Sequence, residues 1–207
     1  MNTMKKLLCI VLAALSVFAL TACAQEEAAP TAYESAVKTA AVITCGEEVL
    51  NVSYVYDQDG LLIKEVFTNA DGAEFSSYYI YNDAGLCTSE VHNNPDGSKD
   101  KYRHTITKEG VLTKTVHTEP TNSKNTFVYT YAEDGKCTGY TLTYASKEVQ
   151  EAAYTYNDLG AIARIDCTGA NASVTAYEYD KYGNVIKETV TAGDTETVTT
   201  YKYTYQQ

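Results

Sequence analysis

Tyr54-Val55-Tyr56-Asp57-Gln58-Asp59-Gly60 is the stretch that decides the fold. It returns as Tyr79-Ile80-Tyr81-Asn82-Asp83-Ala84-Gly85 and as Tyr129-Thr130-Tyr131-Ala132-Glu133-Asp134-Gly135. Two further copies start at Tyr154 and Tyr177. A worn copy, His104-Thr105-Ile106-Thr107-Lys108-Glu109-Gly110, fills the gap. The closing glycines, 60, 85, 110, 135, 160 and 183, are spaced by 25 residues four times and by 23 once. A fixed period of this size marks a repeat architecture.

Each copy reads as a β-hairpin. Tyr-x-Tyr alternates, and aromatic residues suit a pleated surface. Asp or Asn then opens a turn by bonding its own backbone two residues on. Gly at the fourth turn position accepts positive φ without steric cost, which suits a type I turn with a G1 bulge. Regular pairing beyond that turn sets Tyr56 opposite Leu62, Tyr54 opposite Lys64 and Val52 opposite Val66, all on one face. That face carries the tyrosines and an apolar column: Leu62, Cys87, Leu112, Cys137, Ile162 and Val185. It is expected to be the packed one. Second turns fall at Asn69-Ala70-Asp71-Gly72, at Asn94-Pro95-Asp96-Gly97, and near Pro120, Ser146, Gly169 and Gly193. The fold expected is all-β: an antiparallel meander of about a dozen strands of ordinary length, as a single layer, a spiral or a barrel.

The motif Tyr-x-Tyr-Asp-x-x-Gly with an apolar residue after it resembles the YD repeats of RHS-type proteins. The likeness runs from about Val49 to Gln207. In that family, hairpin repeats wind into long spiralling sheets on surface and secreted proteins. Six repeats are too few for an enclosing shell, and no toxin domain follows. The resemblance therefore implies an extracytoplasmic β-rich interaction surface without an encapsulated cargo.

Residues 1–22 read as an export signal. Lys5 and Lys6 form a basic start, Leu7 to Leu20 is apolar, and Leu20-Thr21-Ala22-Cys23 resembles the bacterial lipobox. The apolar run is shorter than the ~20 residues of a membrane-spanning helix. Cleavage before Cys23 leaves a cysteine whose acyl chains anchor the protein to a membrane. Residues 23–35 are the lipidated Cys and an acidic tether, small in side chain and broken by Pro30. Residues 36–207 form the repeat domain, its first strand ending near Cys45.

The formal charge is −11, or −13 without Lys5 and Lys6. That balance argues against a nucleic-acid partner. Tyrosine dominates the aromatics, with 19 Tyr against 4 Phe and no Trp. The expected ligand-binding face comprises Tyr54, Tyr56, Tyr79, Tyr81, Tyr129, Tyr131, Tyr154, Tyr156, Tyr177 and Tyr179, because tyrosine gives contact area at low entropy cost. Cys87 and Cys137 hold equivalent positions about four strands apart, too far for a disulfide and better suited to act as small buried hydrophobes. Cys45 and Cys167 are left open. His92 and His117 share a column seven residues after their glycines, with His104 between. Equivalent positions lie ~10 Å apart, too far to share one ion, so all three are expected as exposed strand residues. The turn carboxylates Asp57, Asp59, Asp83, Glu133, Asp134, Asp158 and Asp180 would line one edge of the sheet, where Ca²⁺ is the alternative, but turn chemistry explains most of them. No metal, cofactor or catalytic motif is expected. The function expected is non-enzymatic binding or adhesion to glycan or protein at the cell envelope, with a structural spacer as the alternative.

Overall fold

The computed structural model describes residues 36–206. Fourteen antiparallel strands follow one another and close into a barrel. β1 (Val37–Cys45) and β2 (Glu48–Tyr56) lead in. β3 (Leu62–Asn69), β4 (Glu74–Tyr81), β5 (Cys87–Asn93) and β6 (Lys99–Ile106) continue the meander. β7 (Leu112–Thr118), β8 (Lys124–Tyr131), β9 (Cys137–Thr143) and β10 (Val149–Tyr156) carry it on. β11 (Ile162–Gly169), β12 (Ser173–Tyr179), β13 (Val185–Ala192) and β14 (Thr195–Gln206) complete it. Of the architectures left open by the sequence, the barrel is the one formed. β14 pairs with both β13 and β1. Closure leaves no unpaired sheet edge. The signal, the lipidated Cys23 and the tether lie outside the described residues.

The turns take the expected form. Asp57 Oδ1 accepts from the backbone N–H of Asp59 and of Leu61, each at 2.9 Å. Gly60 has φ +81°. Asn82, Asn157 and Asp180 repeat this arrangement. The single 23-residue spacing is absorbed by the second turn of its repeat. Arg164 pairs with Ala176 at the same distance from the flanking glycines as Lys64 with Tyr78, so register survives the shortening.

The expected register holds for one pair and then slips. Tyr56 faces Leu62, but Val55 faces Lys64, Tyr54 faces Glu65 and Val52 faces Phe67. Ile63 is an extra residue, a β-bulge. All six Gly-turn hairpins carry the same slip. The bulge turns residues two and five after each glycine to one face, although a regular strand would send them to opposite faces. The cations four after the glycine, expected beside the first tyrosine, therefore lie outside. Lys64 sits over the outward ring of Tyr78, 5.1 Å from its centroid.

The tyrosines themselves stabilise the slip. The β3–β4 ladder ends at Lys64–Tyr78, below the bulge. Tyr81 then donates its hydroxyl to the Leu62 carbonyl at 2.8 Å. Tyr156 does the same to Cys137 at 2.5 Å, Tyr179 to Ile162 at 2.6 Å and Tyr203 to Val185 at 2.9 Å. Tyr131 makes the equivalent bond to Leu112. In the bulges at Thr88 and Thr113 the threonine hydroxyl also donates to a cross-strand carbonyl, Ile80 and Thr105, at 3.1 Å. The apolar core lies on one side of the barrel, from Ala41, Ile43, Leu50, Val52 and Phe67 round to Ile162, Ile165, Tyr177, Val185 and Tyr201.

Tyr81→Phe is expected to lower the unfolding free energy by about 1–2 kcal/mol, because a half-buried carbonyl loses its donor. Outward Tyr78→Phe should stay within about 0.5 kcal/mol. Urea unfolding followed by circular dichroism measures both.

Candidate functional site

Inside the barrel, the residues five after each glycine alternate with the first tyrosine of each copy. This inner wall reads Tyr54, Glu65, Tyr79, Glu90, His104, Thr115, Tyr129, Tyr140, Tyr154, Ile165, Tyr177, Glu188, Tyr201. On β3 to β8 it is polar and internally bonded. Tyr79 donates to Glu65 Oε2 at 2.7 Å. Glu90, only 5% exposed, has one carboxylate oxygen 2.9 Å from His92 Nε2 and the other 3.0 Å from His104 Nε2. His92 Nδ1 lies 2.8 Å from the Ser77 hydroxyl and His104 Nδ1 lies 2.9 Å from that of Thr115. Since a carboxylate only accepts, both Nε2 atoms donate to Glu90, and in the neutral imidazole each Nδ1 accepts from its hydroxyl.

The histidines are thus not exposed, as expected from the sequence, but face inward. The bulge moves position seven after the glycine, with position five, to the inner face. Equivalent histidines need not meet each other: Glu90 gathers His92 and His104 from adjacent strands. His117 bonds Asp100 at 2.7 Å and stacks on Tyr102 at 4.3 Å, while His92 meets the same ring edge-on at 5.0 Å.

Burial alone would raise the Glu90 carboxyl, but the hydrogen bonds from His104 and His92 outweigh it and bring it down to about 2. Asp100 follows the same logic and is lowered by His117 and Asn94 against its burial. Cys87 is the thiol beside this cluster. Burial and then the charge of Glu90 push it up to about 12. Its sulfur, a Glu90 oxygen and a His104 nitrogen all lie within 4.8 Å of one another. The four described cysteines, Cys45, Cys87, Cys137 and Cys167, are free thiols.

Glu188 differs from Glu90. It is fully buried on the apolar side, and its one hydrogen bond is a long 3.5 Å contact from Tyr201. Its Oε1 and the hydroxyl of the facing Thr199 have no partner. Burial, only partly offset by Tyr201, pushes the carboxyl up to about 8.

All ten tyrosines of the expected ligand face line the inner wall. Tyr177 is buried and the other nine are half-buried. Tyr54, Tyr79, Tyr129, Tyr154 and Tyr177 form one row, and Tyr56, Tyr81, Tyr131, Tyr156 and Tyr179 form the next, nearer the Asp-x-x-Gly turns. Sequence reasoning missed the Glu90–histidine cluster. The available signal was that His104 and Ile106 replace both tyrosines of the worn copy.

The RHS repeat family model matches residues 156–197. Among solved structures, a porin-like protein from Bacteroides uniformis aligns with TM-score 0.47 and 12% identity, over 84% of this chain and all of that one. A porin-like protein from Bacteroides vulgatus aligns with TM-score 0.48 and 11% identity, over 83% and 99%. The Tc holotoxin pore of Photorhabdus luminescens aligns with TM-score 0.35 and 17% identity, over 68% of this chain and 7% of that one. No curated protein matches the chain.

Glu188 supplies a pH test. Its folded value lies above the ordinary glutamate value of about 4.3, so the folded state holds an extra proton between there and about 8. Its contribution is fully present below about 4.3 and is lost as pH rises through 8. Glu188→Gln should therefore gain stability relative to the parent as pH rises across that window, by at most about 1.4 kcal/mol per pH unit. Urea titrations from pH 5 to about 8.5 read the difference.

Proposed function

We propose that this chain is an exported bacterial lipoprotein, anchored through Cys23, whose RHS-repeat barrel is a non-enzymatic module of the cell envelope. The lipobox-like Leu20-Thr21-Ala22-Cys23 after an apolar run supports export and acylation. The outer wall supports an aqueous setting for the barrel itself. Lys101, Arg103, Glu151, Arg164 and Lys202 project from mid-strand and are exposed, where a membrane barrel carries an apolar band. Both ends of the barrel chain, Val37 and Gln206, pair beside the Asp-x-x-Gly turns. The described chain therefore begins at the Asp-x-x-Gly end of the barrel.

The role within the envelope follows from the rings. A glycan platform needs accessible ring faces. Here the rings face the barrel interior, and five tyrosine hydroxyls are bonded to backbone carbonyls. This one observation favours the spacer role over a ligand face built from those tyrosines. Adhesion to glycan or protein would have to use the outer wall or the turns. The acidic balance gives no support to nucleic-acid binding.

Metabolic labelling with an alkyne fatty acid in a bacterial host should mark the parent chain and leave Cys23→Ser unmarked and released from membranes. Labelling of Cys23→Ser would contradict the anchor. The released Cys23→Ser chain should give no signal on a glycan array, and a specific hit would reinstate the binding role.

A further inference from the structure

We propose that Cys87, Glu90 and His104 form a binding site for one divalent transition-metal ion of the zinc class. The site is built by the bulge in β5. Cys87 and Glu90 are three apart on one strand, and only the extra residue Thr88 turns both inward. His104 reaches them from β6, with Nε2 3.0 Å from Glu90 Oε1. Thiolate, carboxylate and imidazole donors within 4.8 Å need only small adjustments to surround an ion at the usual ligand distances of ~2.0–2.3 Å. A cysteine among the ligands selects the softer divalent ions over Ca²⁺ and Mg²⁺.

The outer shell is already present. On binding, Cys87 loses its thiol proton to solvent. The His104 ring shifts its proton from Nε2 to Nδ1, where the Thr115 hydroxyl at 2.9 Å turns from donor to acceptor. The second Glu90 oxygen stays bonded to His92, 2.9 Å away, which fixes the carboxylate's orientation. Cys87 is half-buried near the turn end, so the site is not wholly sealed from solvent.

The repeat is the internal control. The equivalent trio is Leu62, Glu65 and Tyr79 one repeat earlier, where the tyrosine hydroxyl bonds the carboxylate at 2.7 Å. Two repeats later it is Cys137, Tyr140 and Tyr154. Only at the worn copy do three ligating side chains coincide, and there His104 replaces the tyrosine that the repeat otherwise places. The departure from the repeat and the convergence of donors fall at the same point.

The untagged full-length chain, purified in detergent with reductant and stripped by chelator, is titrated with Co²⁺ and then with Zn²⁺. The site predicts one Co²⁺ per chain with a thiolate-to-metal charge-transfer band, displaced by Zn²⁺. Cys87→Ser and His104→Gln should weaken Zn²⁺ binding by about 100-fold or more, while Cys137→Ser leaves it unchanged. Zn²⁺ should also protect Cys87 of the parent chain from alkylation, a readout that holds even where a variant fails to fold. Absence of the band in the parent, no protection of Cys87, or an undiminished band in folded Cys87→Ser overturns the site.

Discussion

The structure depends on one bulge, repeated six times and held by a tyrosine hydroxyl in five of the next strands. An extra residue in a ladder leaves a carbonyl without its strand partner, and an unmet buried acceptor costs about 1–3 kcal/mol. The second tyrosine of the next copy supplies the donor from the adjacent strand. At about 1 kcal/mol for each hydrogen bond, five such bonds are sizeable against a whole-domain stability of about 5–15 kcal/mol. The same tyrosine thus serves as strand former, filler of the inner wall and cap for the carbonyl its neighbour exposes. That triple role accounts for the tyrosine excess without invoking a ligand.

The bulge also decides what the interior contains. By turning the fifth and seventh positions inward, it brings Glu65, Glu90, His92, His117 and Glu188 into the barrel. The interior then separates into two environments. On β3 to β8 the polar groups bond one another, and Glu90 is held ionised by its two imidazole partners. On the β11 to β3 side aliphatic and aromatic packing prevails, and Glu188 meets only phenols and a threonine. Two glutamates in equivalent positions are pushed in opposite directions because one has two imidazoles beside it and the other has none.

Much of this was legible in the sequence. The period, the Asp-x-x-Gly turns, the strand over residues near 36–45 and the inward tyrosine face follow from local chemistry that acts within a few residues. The bulge was not legible. Residues such as Ile63, Thr88 and Ala163 carry no common signature, because the slip is stabilised by a hydroxyl about 18 residues further on. One missed residue inverts the parity of every later position in a strand. That error placed Lys64 beside Tyr54 and His92 and His117 on the outside. Closure was illegible for a similar reason: nothing local in Tyr201-Lys202-Tyr203-Thr204-Tyr205 shows that β1 will pair with it, some 160 residues earlier. The candidate metal cluster was hidden by the same inversion, although the loss of both tyrosines at His104 and Ile106 marked its place.

The repeats close on themselves through β1 and β14 rather than leaving an open, extendable sheet. Amide hydrogen exchange of the two strands tests this closure most directly. In a closed barrel the amides of Ala41, Ile43, Tyr201 and Tyr203 exchange as slowly as those at the centre of β7 and β8, since both kinds lie inside a continuous ladder. Rapid exchange confined to one face of β1 and of β14, with β7 and β8 protected, would contradict closure and leave a sheet with two free edges.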